Sequence, residues 1–190
     1  VAEVLLFHHA QGLTSGCLAF AGRLAGAGHV VHTPDLYDGH TFADITSGVG
    51  YAREVGFDTI LERGRRAAQD LSPGLVYGGF SLGVLPAQAL AQTRPGAKGA
   101  LLFHGCFPAS EFGAPWPAGV GLEVHAMADD EWFAEDAGAA RELVAAVPGA
   151  QLFLYPGSGH LFTDDSLGDY DEAATALVTE RVLGFLERVG

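Results

Sequence analysis

Six short apolar runs, separated by segments of helical spacing, constrain this chain more than any other feature of its sequence. They are VLLFHH from Val4, HVVHTPD from His29, LVYGG from Leu75, ALLFHG from Ala100, LEVHAMA from Leu122 and QLFLYP from Gln151. Each is rich in Val, Leu and Phe and apolar almost throughout, which suits strands covered on both faces. Between them, the segment 15–27 carries Leu18, Phe20, Ala21, Leu24 and Ala25 at helical spacing. The segment 49–71 carries Val55, Ile60, Leu61 and Ala68, and 82–93, 137–147 and 170–189 complete the set. Strand alternating with helix predicts an α/β protein: a mainly parallel sheet with helices on both faces.

Length and composition agree with one compact domain over 1–190. At 48% hydrophobic and 17% charged residues, the chain can build a substantial core, and no repeat, linker or low-complexity tract divides it. A net charge of −13 opposes binding to a phosphate backbone, so no nucleic-acid partner is expected. No apolar run is long enough to span a membrane, and the opening VAEVLLFHHA lacks the basic region of a signal peptide. The expectation is a cytoplasmic protein without a membrane partner; oligomeric state is left open. Cys17 and Cys106 stand alone, outside any C-x-x-C pattern, and read as small buried hydrophobes.

In parallel sheets of this kind, ligands bind beyond the carboxyl ends of the strands. Reactive side chains collect there. His8 and His9 end the first run, Asp35 the second and His104 the fourth; Asp129 and Asp130 follow the fifth, and His160 the sixth. After the third comes Gly79-Phe80-Ser81-Leu82-Gly83, a G-x-S-x-G pattern between a strand and a helical segment. A nucleophile on so tight a turn needs an uncommon backbone conformation and small neighbours, which Gly79 and Gly83 provide. The plainer alternative is a serine that caps the helix.

A serine hydroxyl is a weak nucleophile unless a base takes its proton and an acid orients that base. For this motif class the chain order is Ser, then Asp or Glu, then His. HAMADDEWF supplies the acid and YPGSGHLF the base, each just past a different strand. Asp130 is preferred as the acid because Trp132 and Phe133 then form the apolar pair after it; Asp129 remains the alternative. Glu123 and Asp164 read as solvated surface. The oxyanion hole needs two N–H donors. Leu82 supplies one, and Ala10, in the loop HHAQGLTSG, is chosen for the second, with Gln11 next; an ordinary connection turning at Gly12 is the competing reading. Candidate substrate-binding residues are His9, Gln11, Trp132 and Phe162. Phe107, Trp116, Trp132, Phe133 and Phe162 form either an aromatic pocket or core.

Along nearly its whole length the chain resembles the dienelactone hydrolase family of α/β-hydrolases. The resemblance is carried by the first strand and its loop, TPDLYDG, GGFSLGV, HAMADDEWF, and GSGHLF before a final long helix. It implies an α/β-hydrolase fold with no separate lid domain, a nucleophile-His-Asp triad, and hydrolysis of esters or lactones without a cofactor. Three departures from the family matter. Ser81 stands where the best-known members carry Cys. His9 stands where they carry a Glu, and Thr163, Asp164 and Asp165 stand where an Arg follows the catalytic His. Acidic residues at that place predict a neutral ester or lactone substrate rather than a carboxylate, with Arg53 the one cation that reverses this if it folds over the site.

Two other readings compete with an acyl hydrolase. One is a binding or regulatory module that keeps the triad unused, since fold does not establish function. The other is a metal site from His8, His9, His104 and His160, for which no H-E-x-x-H or similar spacing sets the geometry. No metal is therefore expected.

Overall fold

The computed structural model describes residues 1–190. Its centre is one sheet of strands β1 (Glu3–Phe7), β2 (Val30–His32), β3 (Leu75–Phe80), β4 (Gly99–Phe103), β5 (Gly121–Met127) and β6 (Gln151–Tyr155). Their order is β2-β1-β3-β4-β5-β6, and every pairing is parallel. This is the α/β-hydrolase arrangement expected from the sequence. The chain leaves β1 towards one edge and returns on the other side of it to begin β3. The point where strand order reverses therefore lies between β1 and β3, which is where a crevice opens in sheets of this type.

Side chains alternate across the sheet with period two. Leu5, Phe7, Tyr77, Leu102 and Val124 join one buried cluster, covered by helices α2 (Ile45–Val55), α3 (Phe57–Ala68), α4 (Val84–Thr93) and α6 (Ala137–Ala146). Val4, Leu6, Val76, Phe80 and Phe103 join the other, covered by α1 (Ser15–Gly26) and α7 (Glu172–Val189). A single turn, α5 (Glu131–Ala134), follows β5. All residues of β3 and β4 are buried, which explains their unbroken apolar sequences. Cys17 and Cys106 are buried and unpaired. No helix is long and apolar enough to cross a membrane.

Two sequence expectations need correction. The segment 49–71 is two helices, because Gly56 adopts φ +93 and ends α2 while beginning α3. That conformation is open to glycine and breaks the helical hydrogen bonding. The first of the two also starts earlier, at Ile45, where the Asp44 carboxylate accepts the Ser47 N–H at 2.8 Å. Glu123 is not solvated surface: it is 2% exposed on the face of β5 beneath α7. Arg188 donates to its Oε1 at 2.8 Å and His125 Nε2 lies 3.2 Å from its Oε2. A carboxylate tolerates such a place only when paired in this way.

Helix α2 comes close enough to the loop after β1 that a Cβ on Gly48 would collide with the carbonyl of Ala10. Gly48→Ala should cost about 1–3 kcal/mol by overpacking, lowering the melting temperature by roughly 2–4 °C per kcal/mol. Gly50→Ala is the control in the same helix, since a Cβ there meets nothing. It should be neutral or gain up to about 1 kcal/mol of helix propensity. Thermal unfolding of the two variants measures the difference.

Candidate active site

Strand β3 ends at Phe80 and α4 begins at Val84, so Ser81–Gly83 must reverse the chain in one 3-10 turn. Ser81 does so with φ +49, in the left-handed region that L-residues seldom enter. Its neighbours have no room for side chains. A Cβ on Gly79 would run into the carbonyl of Gly83, and one on Gly83 would run into the carbonyls of Phe7 and His8. The second contact presses the turn against the end of β1.

Ser81 Oγ lies 2.8 Å from His160 Nε2, and His160 Nδ1 lies 2.6 Å from Asp130 Oδ2. Asp130 is 2% exposed, whereas Asp129 faces solvent. The two oxygens of Asp130 divide their work. Oδ2 meets the imidazole, while Oδ1 accepts the Trp132 N–H at 2.9 Å and caps α5. His160 is fixed from two further sides. Its own N–H donates to Asp169 Oδ2 at 3.2 Å, and the Trp132 indole stacks on its ring at a centroid distance of 5.7 Å. Asp169 carries no motif that sequence reasoning recognises. Only its place in the loop before α7 brings it here.

The two N–H groups chosen for an oxyanion hole sit on the two loops that Gly83 holds together. Leu82 is in the first turn after Ser81, where N–H groups lack partners within the helix. Ala10 is buried, and its N–H donates to no acceptor of the chain. The loop carrying it is a tight turn closed by the Gly12 N–H on the His9 carbonyl at 3.0 Å, with Gly12 at φ +98. His8 ties the same loop to the chain after β2: its Nε2 accepts the Leu36 N–H at 2.9 Å and its Nδ1 donates to the His9 carbonyl. Burial lowers the His8 pKa to about 4, so the ring is neutral, as these two bonds require.

A cavity of about 230 Å³ opens beside His160, lined by Gln11, Ile45, Trp132, Leu161 and Asp169 among others. Gln11 and Trp132 therefore stand where a ligand would touch them. Gln11 Nε2 donates to the Phe42 carbonyl at 3.0 Å, and Trp132 is 51% exposed. His9 and Phe162 do not line it. Phe162 is fully buried in the core beneath α7, its ring against Tyr155 and His104. Of the other aromatic candidates, Phe133 is core, and Trp116 lines a separate cavity beside Val120 and Gly121, at the opposite end of the sheet.

His9 instead turns away from the cavity and pairs with Asp164, Nε2 to Oδ2, at 2.7 Å. This overturns the reading of Asp164 as surface; it is 2% exposed and also accepts from the Thr14 and Ser166 hydroxyls. Thr163 is buried against His104, and Asp165 lies 4.0 Å from Arg23, so none of the three residues faces a ligand. Nor do the four histidines converge. His8, His9, His104 and His160 each address a different partner. Cys17 does join His9 and Asp164 in a buried group whose ligand atoms lie within 4.8 Å of one another, but hydrogen bonds already occupy it.

Burial acts to lower the His9 pKa, but its hydrogen bonds to Asp164 and Cys17 outweigh it and raise the pKa from 6.5 to about 9. Burial acts to raise Asp164, yet the bonds from His9, Ser166 and Thr14 lower it to about 2. These shifts favour imidazolium and carboxylate at neutral pH, while the Gln11 N–H, 3.2 Å from His9 Nδ1, favours a neutral ring whose Nε2–H donates to Asp164. Asp164 contributes its stabilisation fully above pH 3.8 and loses it as pH falls towards 2, while His9 contributes fully below pH 6.5 and loses it as pH rises through 9. Denaturant unfolding of the native chain and of the His9→Gln/Asp164→Asn double variant should show this. The advantage of the native chain should shrink between pH 6.5 and pH 9, by about 2–3 kcal/mol. A constant difference across that interval would contradict the assignment.

The family model for dienelactone hydrolases matches residues 1–190. No curated protein matches the chain significantly. Among solved structures, the chain is similar to a dienelactone hydrolase-like promiscuous phosphotriesterase from metagenomic libraries. Identity is 21% and the TM-score 0.78, over 100% of this chain and 87% of that one. It is also similar to the dienelactone hydrolase from Anabaena variabilis, at 17% identity and a TM-score of 0.70, over 100% and 87% of the two chains. A thioesterase domain from the curacin biosynthetic pathway matches at 17% identity and a TM-score of 0.65, over 96% and 90%. Identities this low speak for the fold alone, but the family model spans every residue: the chain belongs to the dienelactone hydrolase family.

Proposed function

We propose that this protein hydrolyses carboxylic esters or lactones through an acyl-enzyme on Ser81. The observation that carries the reading is the hydrogen-bonded line from Ser81 Oγ to His160 to Asp130, at 2.8 and 2.6 Å. His160 Nε2 takes the hydroxyl proton as Oγ attacks the carbonyl carbon. The carbonyl electrons move onto oxygen, and the Leu82 and Ala10 N–H groups donate hydrogen bonds to the oxyanion. Collapse of this tetrahedral species breaks the ester C–O bond, and His160 returns the proton to the departing alkoxide. Water then repeats the sequence on the acyl-enzyme, His160 taking its proton and giving it back to Ser81, and a carboxylic acid leaves. In a lactone the alcohol stays tethered to the acyl group. Asp130 holds the Nδ1–H tautomer and stabilises the imidazolium.

A fluorophosphonate should add once, on Ser81, by intact-mass and peptide analysis, and Ser81→Ala should abolish both adduct and ester turnover. Absence of an adduct would favour the non-catalytic binding module, and labelling elsewhere would remove Ser81 from the mechanism. Asp130→Asn should lower kcat by about 10⁴-fold, because it stabilises the wrong tautomer. Asp129→Asn, at an exposed side chain, should change it little. Equal small losses in both would mean that neither residue orients His160.

A further inference from the structure

The cavity beside His160 has a composition that the mechanism does not use. One carboxylate lines it, that of Asp169, and no Lys or Arg does. Of the segments that line it, 128–136 and 156–171 contain no Lys or Arg, while Asp129, Glu131, Glu135 and Asp169 are exposed on them. Asp164 does not line the cavity: it is buried and hydrogen-bonded to His9 at 2.7 Å. Arg53 does not reverse it. Ile45 at the start of α2 lines the cavity, and Arg53 is exposed in the last turn of that helix, roughly 12 Å along the axis at about 1.5 Å per residue. The positive end of the α2 dipole at Ile45 is capped by the Asp44 carboxylate. Arg23 is engaged elsewhere, with the Tyr170 hydroxyl at 3.1 Å and Asp165 at 4.0 Å.

Against this carboxylate stands an indole. Trp132 keeps 51% of its surface exposed although it stacks on His160, so part of its π surface is open to a ligand at the site of reaction. An accessible indole and a carboxylate on one small cavity are the two elements that recognise an organic cation, the first through the ring quadrupole and the second through charge. A ligand carboxylate finds no partner there.

We propose that the cavity selects small esters bearing a cationic group, a quaternary ammonium or a protonated amine, with Trp132 and Asp169 as the specificity-determining residues. The proposal rests on the hydrolase reading above and narrows its substrate class. The ester carbonyl sits at Ser81 while the cation lies on the open indole surface, beside Asp169.

The test compares the choline ester of a short acid with its neutral isostere, in which a tert-butyl group replaces trimethylammonium. In the native protein at low salt, kcat/KM should favour the choline ester by about tenfold, a difference of about 1.4 kcal/mol. High salt should shrink the ratio. Trp132→Leu and Asp169→Asn should each reduce it several-fold, and because both esters are read on the same variant, damage to His160 cancels. A ratio at or below one, with the neutral ester still cleaved at Ser81, would overturn the proposal and leave the hydrolase standing. Binding gives a second readout that needs no turnover. Tetramethylammonium should shift the indole N–H resonance of Trp132, identified by its loss in Trp132→Leu, while neopentyl alcohol should not. If no ester is cleaved yet this shift occurs, the cation site stands and the hydrolase reading falls. No shift together with no preference sinks the proposal outright.

Discussion

The close approach of Gly83 to the carbonyls of Phe7 and His8 sets the spacing on which the rest of the site depends. It brings the turn after β3 against the end of β1 at the point where the strand order reverses. A side chain at 83 would push the two loops apart, separating the Leu82 N–H from that of Ala10. Gly48 does the same service from the other side, letting α2 rest on the Ala10 carbonyl. The geometry at the serine is thus held by backbone atoms in contact, which are stiffer than side chains and change little with rotamer.

The two departures from the family pattern that seemed separate in the sequence meet in the fold. Where the resemblance implies a Glu at position 9 and an Arg shortly after the histidine, this chain has His9 and Asp164, hydrogen-bonded to each other. The basic and the acidic residue have exchanged ends. Read one at a time, His9 resembled a ligand-facing group and Asp164 a surface acid. Read together they are one buried hydrogen-bonded pair, completed by Thr14 and Ser166. Their partnership spans 155 positions, and no local pattern announces it.

That contrast explains what the sequence made legible. The four inner strands were readable because burial on both faces leaves continuous apolar runs, and the edge strands β2 and β6 kept enough Val, Leu and Phe to be read although they are only partly buried. Ser81, Asp130 and His160 were readable because strand ends place them at one edge in a fixed chain order, and the three side chains do touch. The split at Gly56 was missed because helical spacing continues on either side of it. Glu123 was misplaced because its burial depends on Arg188, 65 residues away. Asp169 was missed for the same reason: it acts on His160 through a backbone N–H, and its own neighbours say nothing of that contact.

The left-handed backbone at Ser81 has a consequence for how this protein would respond to selection. A non-glycine residue at φ +49 carries a conformational penalty of about 1–2 kcal/mol that glycine escapes. The position proposed for chemistry is therefore one at which the fold would gain by losing its hydroxyl. A library sorted only for resistance to heat would drift towards glycine at residue 81, and its most robust members would lack the hydroxyl. If the proposed chemistry runs through Ser81, durability and turnover pull against each other at this residue.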